Sequence, residues 1–233
     1  MQSPAFRAAA TPAIQALRLY WPAFVALQLA AIATVVGYYS SETLRSVAHE
    51  ILSWKQAGGM AFVAAANVLS GAVIPELLKA GLRPPERVKP GLADWIHLSA
   101  LMAILGVMVD IFYHLQSSWF GSGRGIGTLA VKIVVDQFIY TLFFAMPVIV
   151  AWFAWKENDY SPARTARKLR PALFAGRIPP LFIPNCIFWI PSLIAVYSLP
   201  TQLQFLLFIF LNGAWCLVMV FIARETSAKP AEP

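Results

Sequence analysis

Charge is the scarcest commodity in this sequence: 12% of its 233 residues are Asp, Glu, Lys or Arg, against about 25% in a soluble domain. Histidine is limited to His49, His97 and His114, which lie on separate segments or far apart along one. Zinc needs about three or four grouped ligands, and no HExxH or CxxC spacing supplies them. A GxSxG elbow and a glycine-rich phosphate loop are also missing, which removes support for hydrolase and nucleotide chemistry. The expectation is therefore a protein that is not an enzyme and that uses no cofactor or metal. Cysteine is nearly absent as well. Cys186 and Cys216 both fall inside apolar runs, where a thiol acts as a small buried hydrophobe and says nothing about compartment.

What fills the sequence instead is hydrocarbon. Hydrophobic residues make up 59% of the chain and the mean hydropathy is +0.65. Windows of about 20 apolar residues, long enough to cross the hydrocarbon core, recur along its length. This predicts an all-α polytopic transmembrane bundle of about six apolar segments plus one interfacial amphipathic helix. Spans are expected at about 19–39, 58–78, 94–115 and 128–152. The run 178–223 is too long for one crossing and is read as two spans meeting near Pro200, the first punctuated by Pro184 and Pro191.

Residues 1–18 read equally as an unstructured tail and as a segment weakly like a transit peptide. Ser41 offers an N-cap with Glu42 in the first turn of the interfacial helix. There Leu44, Val47, Ile51 and Leu52 repeat at helical spacing opposite Arg45, His49 and Glu50. Three regions result: a tail, an extra span and the interfacial helix in 1–57, the bundle in 58–223, and a polar tail in 224–233.

The net charge of +7 is not read as a nucleic-acid signal, because the basic residues sit in the connections between spans. With alternating spans, every Lys and Arg except Arg45, Lys55, Arg124 and Lys132 falls on the face that carries both termini. That bias places the termini on the cytoplasmic or matrix side. The cluster of Arg164, Arg167, Lys168 and Arg170 is expected to meet anionic lipid headgroups. A homo-oligomer is compatible with this pattern. A mitochondrial inner, peroxisomal or bacterial plasma membrane fits equally.

Candidate functional residues are the polar ones at bilayer depth, where a carboxylate costs about 2.5–3.5 kcal/mol on insertion scales and must find a partner away from lipid. Lys132, Asp136 and Tyr140 repeat every four residues, so Lys132 is expected to reach Asp136 along one helix face. Asp110 and His114 are likewise one turn apart. The glycine-rich turn 121–127 separates the two pairs, which places all four side chains at similar depth near one membrane face. Gln137 adjoins them, and Asn67 and Asn212 lie deeper. Pro75 cannot donate to the Gly71 carbonyl, which needs another partner. His97 is expected at the interface near Asp94 and Trp95, and His49 in solvent.

From about residue 58 to 223 the chain resembles the 22 kDa peroxisomal membrane protein family, the Mpv-type proteins of peroxisomes and mitochondrial inner membranes. GVMVDIFY supplies Gly106 and Tyr113, with Asp110 where that family carries His and Phe112 for its Trp. Lys132, Asp136 and Gln137 reproduce its Lys and Asp-Gln, and Asn185, Trp189, Tyr197, Pro200 and Trp215 fit its last motif. Leu193, Val196 and Gln204 replace polar or basic family positions there. The resemblance implies a weakly selective channel for small solutes. The residues themselves give a polar cluster, and in a channel for small solutes or ions Asp110, His114, Lys132, Asp136, Gln137 and Tyr140 would line a polar vestibule. A non-transporting structural protein and a proton-coupled carrier remain open beside it.

Overall fold

The structure, a computed structural model, describes residues 4–82, 90–121, 123 and 125–228. Arg83, Pro84, Pro85, Arg87 and Lys89 of the basic loop, Arg124 of the glycine-rich turn and Lys229 lie outside the described residues. The architecture is all-α, with no strand among the described residues. Its helices are α1 (Pro4–Ser40), α2 (Glu42–Gly81), α3 (Leu92–Phe120), α4 (Ile126–Glu157), the short α5 (Pro162–Lys168), α6 (Pro171–Tyr197) and α7 (Thr201–Ala228). All except α5 contain a stretch long and apolar enough to cross a membrane. This is the polytopic bundle that the composition predicts.

The helix starts follow from local chemistry. Ser41 Oγ accepts from the Leu44 N–H at 3.4 Å, and Asp94 Oδ2 accepts from the Gly91 N–H at 2.9 Å at the head of α3. Such caps satisfy amides that the first helical turn leaves open. A helix apolar on every face belongs at the centre of a bundle, and α7 is that helix. In its spanning window 72% of residues are buried, against 17% for α1. Leu203, Leu207, Leu211, Ala214 and Leu217 bury successive turns of it.

Side-chain contacts fix the directions. Tyr20 meets Phe221 and Tyr38 packs with Leu203, so α1 runs antiparallel to α7. Phe62 meets Phe205 and Asn212 bonds Ser70, so the second half of α2 runs parallel to α7. Gln116 Nε2 donates to the Lys132 carbonyl at 2.9 Å near the glycine-rich turn. At the other end of the same hairpin Trp152 Nε1 donates to the His97 carbonyl at 3.0 Å. Arg177 then grips Glu157 through two 2.8 Å bonds, bringing the start of α6 beside the end of α4. The helices therefore alternate, and the basic connection around α5 shares a face with the start of α1 and the end of α7.

Pro75 and Pro147 each follow a widened stretch of helix, whereas Pro179, Pro180, Pro184 and Pro191 lie inside α6 without one. In α2 the turn Leu69–Val73 is π-helical, with the Ile74 N–H bonded to the Leu69 carbonyl immediately before Pro75. In α4 the π-helical run Asp136–Ala145 ends with the Met146 N–H on the Thr141 carbonyl, immediately before Pro147. An i→i−5 bond carries the ladder past a residue that has no N–H of its own.

Three expectations are corrected. Residues 11–18 belong to α1, where Ala13 and Ala16 are buried in the core, rather than to an unstructured tail. The break in that helix is at Tyr20 (φ −111°, ψ 16°), two residues before Pro22. The interfacial helix and the second span meet at a break at Gly59 (φ 51°, ψ −136°), a left-handed conformation that suits glycine, where the sequence places their boundary; what differs is the packing of the first segment. Before that break Ala48 is buried with Tyr38 and Leu203, so the segment packs on α1 and α7 instead of resting on lipid alone. Finally, α6 starts at Pro171, earlier than expected, because Arg170 ends the preceding loop and Pro fits the first helical turn.

Gly106 is where α3 lets α2 approach, since a Cβ there would stand 2.6 Å from Asn67 Nδ2. Gly106→Ala should destabilise the bundle by about 1–3 kcal/mol, the usual range for overpacking. The expected readout is a lower midpoint in a detergent thermal-unfolding assay, against no change for Gly127→Ala, where nothing lies within 4 Å of the added Cβ.

Candidate functional site: a polar chamber inside the bundle

The widened turns of α4 collect its polar residues on one side. With α-helical winding, Asp136, Gln137, Tyr140 and Thr141 would span an arc of roughly 140°. At a π-helical winding of about 80° per residue the arc narrows to roughly 120°. All four are buried, Asp136 at 4% exposure and Gln137 at 2%. Gln137 Nε2 donates to Asp136 Oδ1 at 2.8 Å, and Asn185 Nδ2 of α6 donates to Gln137 Oε1 at 2.7 Å. The hydroxyls of Tyr113 and Thr141 also approach the carboxyl. None meets hydrogen-bond geometry at Asp136 Oδ2, which has no partner.

A second polar group lies across from it. Asn212 Nδ2 of α7 donates to Ser70 Oγ at 2.8 Å and to Asn67 Oδ1 at 3.4 Å, while Asn67 Nδ2 donates to the Val63 carbonyl at 3.0 Å. Both groups line a chamber of about 100 Å³. Its floor toward the termini is apolar, formed by Met102, Ile149 and Met219, with Cys216 Sγ 3.6 Å from Met102 Sδ.

An outer chamber of about 150 Å³ continues toward the face that carries the glycine-rich turn. Asn67, Val109, Tyr113, Trp189, Leu193 and Phe208 line both spaces, so the two adjoin at a junction formed by these side chains. Lys55 and Asp110 stand at the outer chamber, Nζ to Oδ1 at 4.0 Å, with the lysine side chain 34% exposed and the carboxylate 12%. The Lys55 ammonium also sits 5.2 Å from the centre of the Phe205 ring, an arrangement that stabilises a partly desolvated cation.

The four ionisable residues singled out in the sequence thus divide into two pairs. Asp110 lines the outer chamber and Asp136 the inner one, and Tyr113 touches both spaces. His114 and Lys132 line neither. His114 has a 78% exposed side chain, with Nδ1 3.6 Å from Asp110 Oδ2 and 2.8 Å from the Asp110 carbonyl. The expected Lys132–Asp136 ion pair is not among the ion pairs of the described residues. Asp136 turns inward to Gln137, while Lys132 remains partly exposed. A lysine near a helix end keeps its ammonium at the interface more cheaply than it follows a carboxylate into the bundle.

Other expectations are placed as follows. Tyr140 lines the inner chamber with its ring stacked on Phe112, 4.3 Å between centroids. Asn67 and Asn212 lie at the inner chamber, beyond Asp110 as the sequence suggested. Among the residues matched to the family motif, Asn185 holds Gln137, Trp189 stands at the junction and Tyr197 lines the outer chamber. Trp215 lines the inner one, stacked on Phe188, and Pro200 ends the turn between α6 and α7. His49 is exposed. His97, expected at the interface, is 5% exposed and enclosed by the rings of Trp152, Phe153 and Tyr160, because α4 folds back along α3 at that height.

Lys55, Ser70, Thr141 and Gln204 are chamber or network residues that the sequence did not single out. Thr141 stands one turn beyond Gln137, and Lys55 is found only by knowing which end of α3 it faces. No family model, curated protein or solved structure matches this chain. What the fold defines is the class: a polytopic α-helical membrane protein with a polar cavity inside its bundle.

Asn185→Ala would leave Gln137 Oε1 buried without its donor. It should lower stability by about 1 kcal/mol, the scale of interhelical hydrogen bonds within membranes. A thermal-unfolding comparison with Ile187→Ala, at a position 61% exposed and away from the network, checks this.

Proposed function

We propose that the protein conducts small polar solutes across its membrane through a gated path, of which the two chambers are the half open toward the face opposite the termini. One observation carries this reading: two adjoining spaces, whose largely apolar walls carry amides, hydroxyls and carboxylates, follow one another from the partly exposed Lys55 to a floor of Met102, Ile149 and Met219. Fixed polar groups along a passage replace the hydration that a solute loses on entering it. The methionine-rich floor supplies flexible side chains that move aside more readily than branched ones. Resemblance to the 22 kDa peroxisomal membrane protein family points the same way. The exposed Arg164, Arg167, Lys168 and Arg170 around α5 then rest against anionic headgroups of the leaflet on the termini side.

A structural reading is favoured by the bonds themselves, since Asn185–Gln137 ties α6 to α4 and Asn212–Ser70 ties α7 to α2. Purified protein in liposomes separates the two. Flux of glycerol or urea above that of empty vesicles is expected, falling severalfold in Val109→Phe, which fills the junction without touching either network. Absence of flux from wild-type protein confirmed to be folded would leave only the structural role.

A further inference from the structure

The inner chamber contains an imbalance that the protein itself does not resolve. Asp136 is buried at its wall with one carboxylate oxygen bonded to Gln137 and the other without a partner. No Lys, Arg or His among the described residues lines this chamber. The ammonium of Lys55 belongs to the outer chamber and is held by Asp110 and the Phe205 ring. The buried Lys79 is paired with Glu76 at 2.7 Å. An uncompensated carboxylate in a low-dielectric interior is costly, and removing that cost requires an opposite charge or a proton.

We propose that the inner chamber is a binding site for a small organic cation bearing N–H donors, of the alkylammonium class, with its ammonium on Asp136. This rests on the reading of the chambers as a solute path and names the solute class they favour. Three features select this chemistry. A hard metal cation requires about six or more oxygen ligands, whereas the carboxylate here offers one free oxygen and the amide oxygens of Gln137 and Asn67 already accept hydrogen bonds. An ammonium group needs few acceptors and presents a short apolar stem to the remaining wall. That wall is aromatic, with Tyr140, Trp189 and Trp215, whose π faces attract cations. Rotation about χ2, broad for aspartate, brings the free oxygen to the occupant. The volume of about 100 Å³ limits the ligand to a few heavy atoms, since a cavity of about 150 Å³ accommodates benzene.

The test uses the full chain purified in detergent, with methylammonium chloride as probe and sodium chloride and tetramethylammonium chloride at equal ionic strength as controls. Methylammonium should raise the unfolding midpoint saturably and change the tryptophan fluorescence. Sodium and tetramethylammonium, which lack N–H donors, should do neither. Asp136→Asn should weaken the apparent affinity about tenfold or more, the scale of a lost charge-assisted hydrogen bond. Equal responses to all three salts in wild-type protein, or no response to methylammonium, overturn the proposal even if the Asp136 variant fails to fold. Full binding retained in a folded Asp136→Asn variant also overturns it. Glycerol flux without methylammonium binding defeats the cation site and leaves the conduction reading intact. Binding without any flux keeps the site and defeats conduction.

Discussion

A hydrogen-bonding group removed from water must be satisfied by protein, and every notable departure from a plain helical bundle here answers that demand. The relay from Asn185 through Gln137 to Asp136 joins two helices using side chains that would be untenable against lipid. It depends on the π-helical run in α4, which gathers adjacent residues toward the interior. That run ends at Ala145, just ahead of Pro147, whose missing N–H interrupts the ordinary ladder. Proline, wide turn and polar chamber are successive consequences of one constraint.

The same logic recurs in α2 on a smaller scale. Pro75 follows a five-residue wide turn, and Ser70 within that turn receives the Asn212 amide from α7. Small residues make the meeting possible. At Gly71 an added Cβ would strike Met102 and Cys216, and at Gly213 it would stand 3.1 Å from the Ser70 carbonyl. Close approach and polar satisfaction are therefore coupled, since the amides reach each other only where backbones come near.

The number of crossings, the fold between α6 and α7 near Pro200 and the alternation of helix directions were all legible, because each follows from the lengths of apolar runs and from where basic residues interrupt them. That Asp136 would need a partner inside the bundle was recognisable from its depth alone. Its partner was not. A repeat of four residues points to Lys132, but that inference assumes regular α-helical winding and gives no weight to a lysine's ability to stay near the interface. Asn185 was noticed only through a motif match, since nothing in a run of prolines and large apolar residues indicates which amide will face Gln137. The helical character of residues 11–18 was hidden for another reason: Ala13 and Ala16 become core only through contact with a helix nearly two hundred positions later, and no local pattern encodes that.

The central position of α7 sets an order of events during synthesis. α1 packs mainly along α7, the last of the six spanning helices to leave the ribosome. Until then the buried flank of α1 has only α2 and α6 to pack against, and the Asn67 and Ser70 amide site stands open. The first five crossings therefore lack the helix at their centre until the end of synthesis. Closure comes in one late step, and a nascent chain stalled before residue 201 would present its polar groups to the bilayer or to whatever insertase shields them.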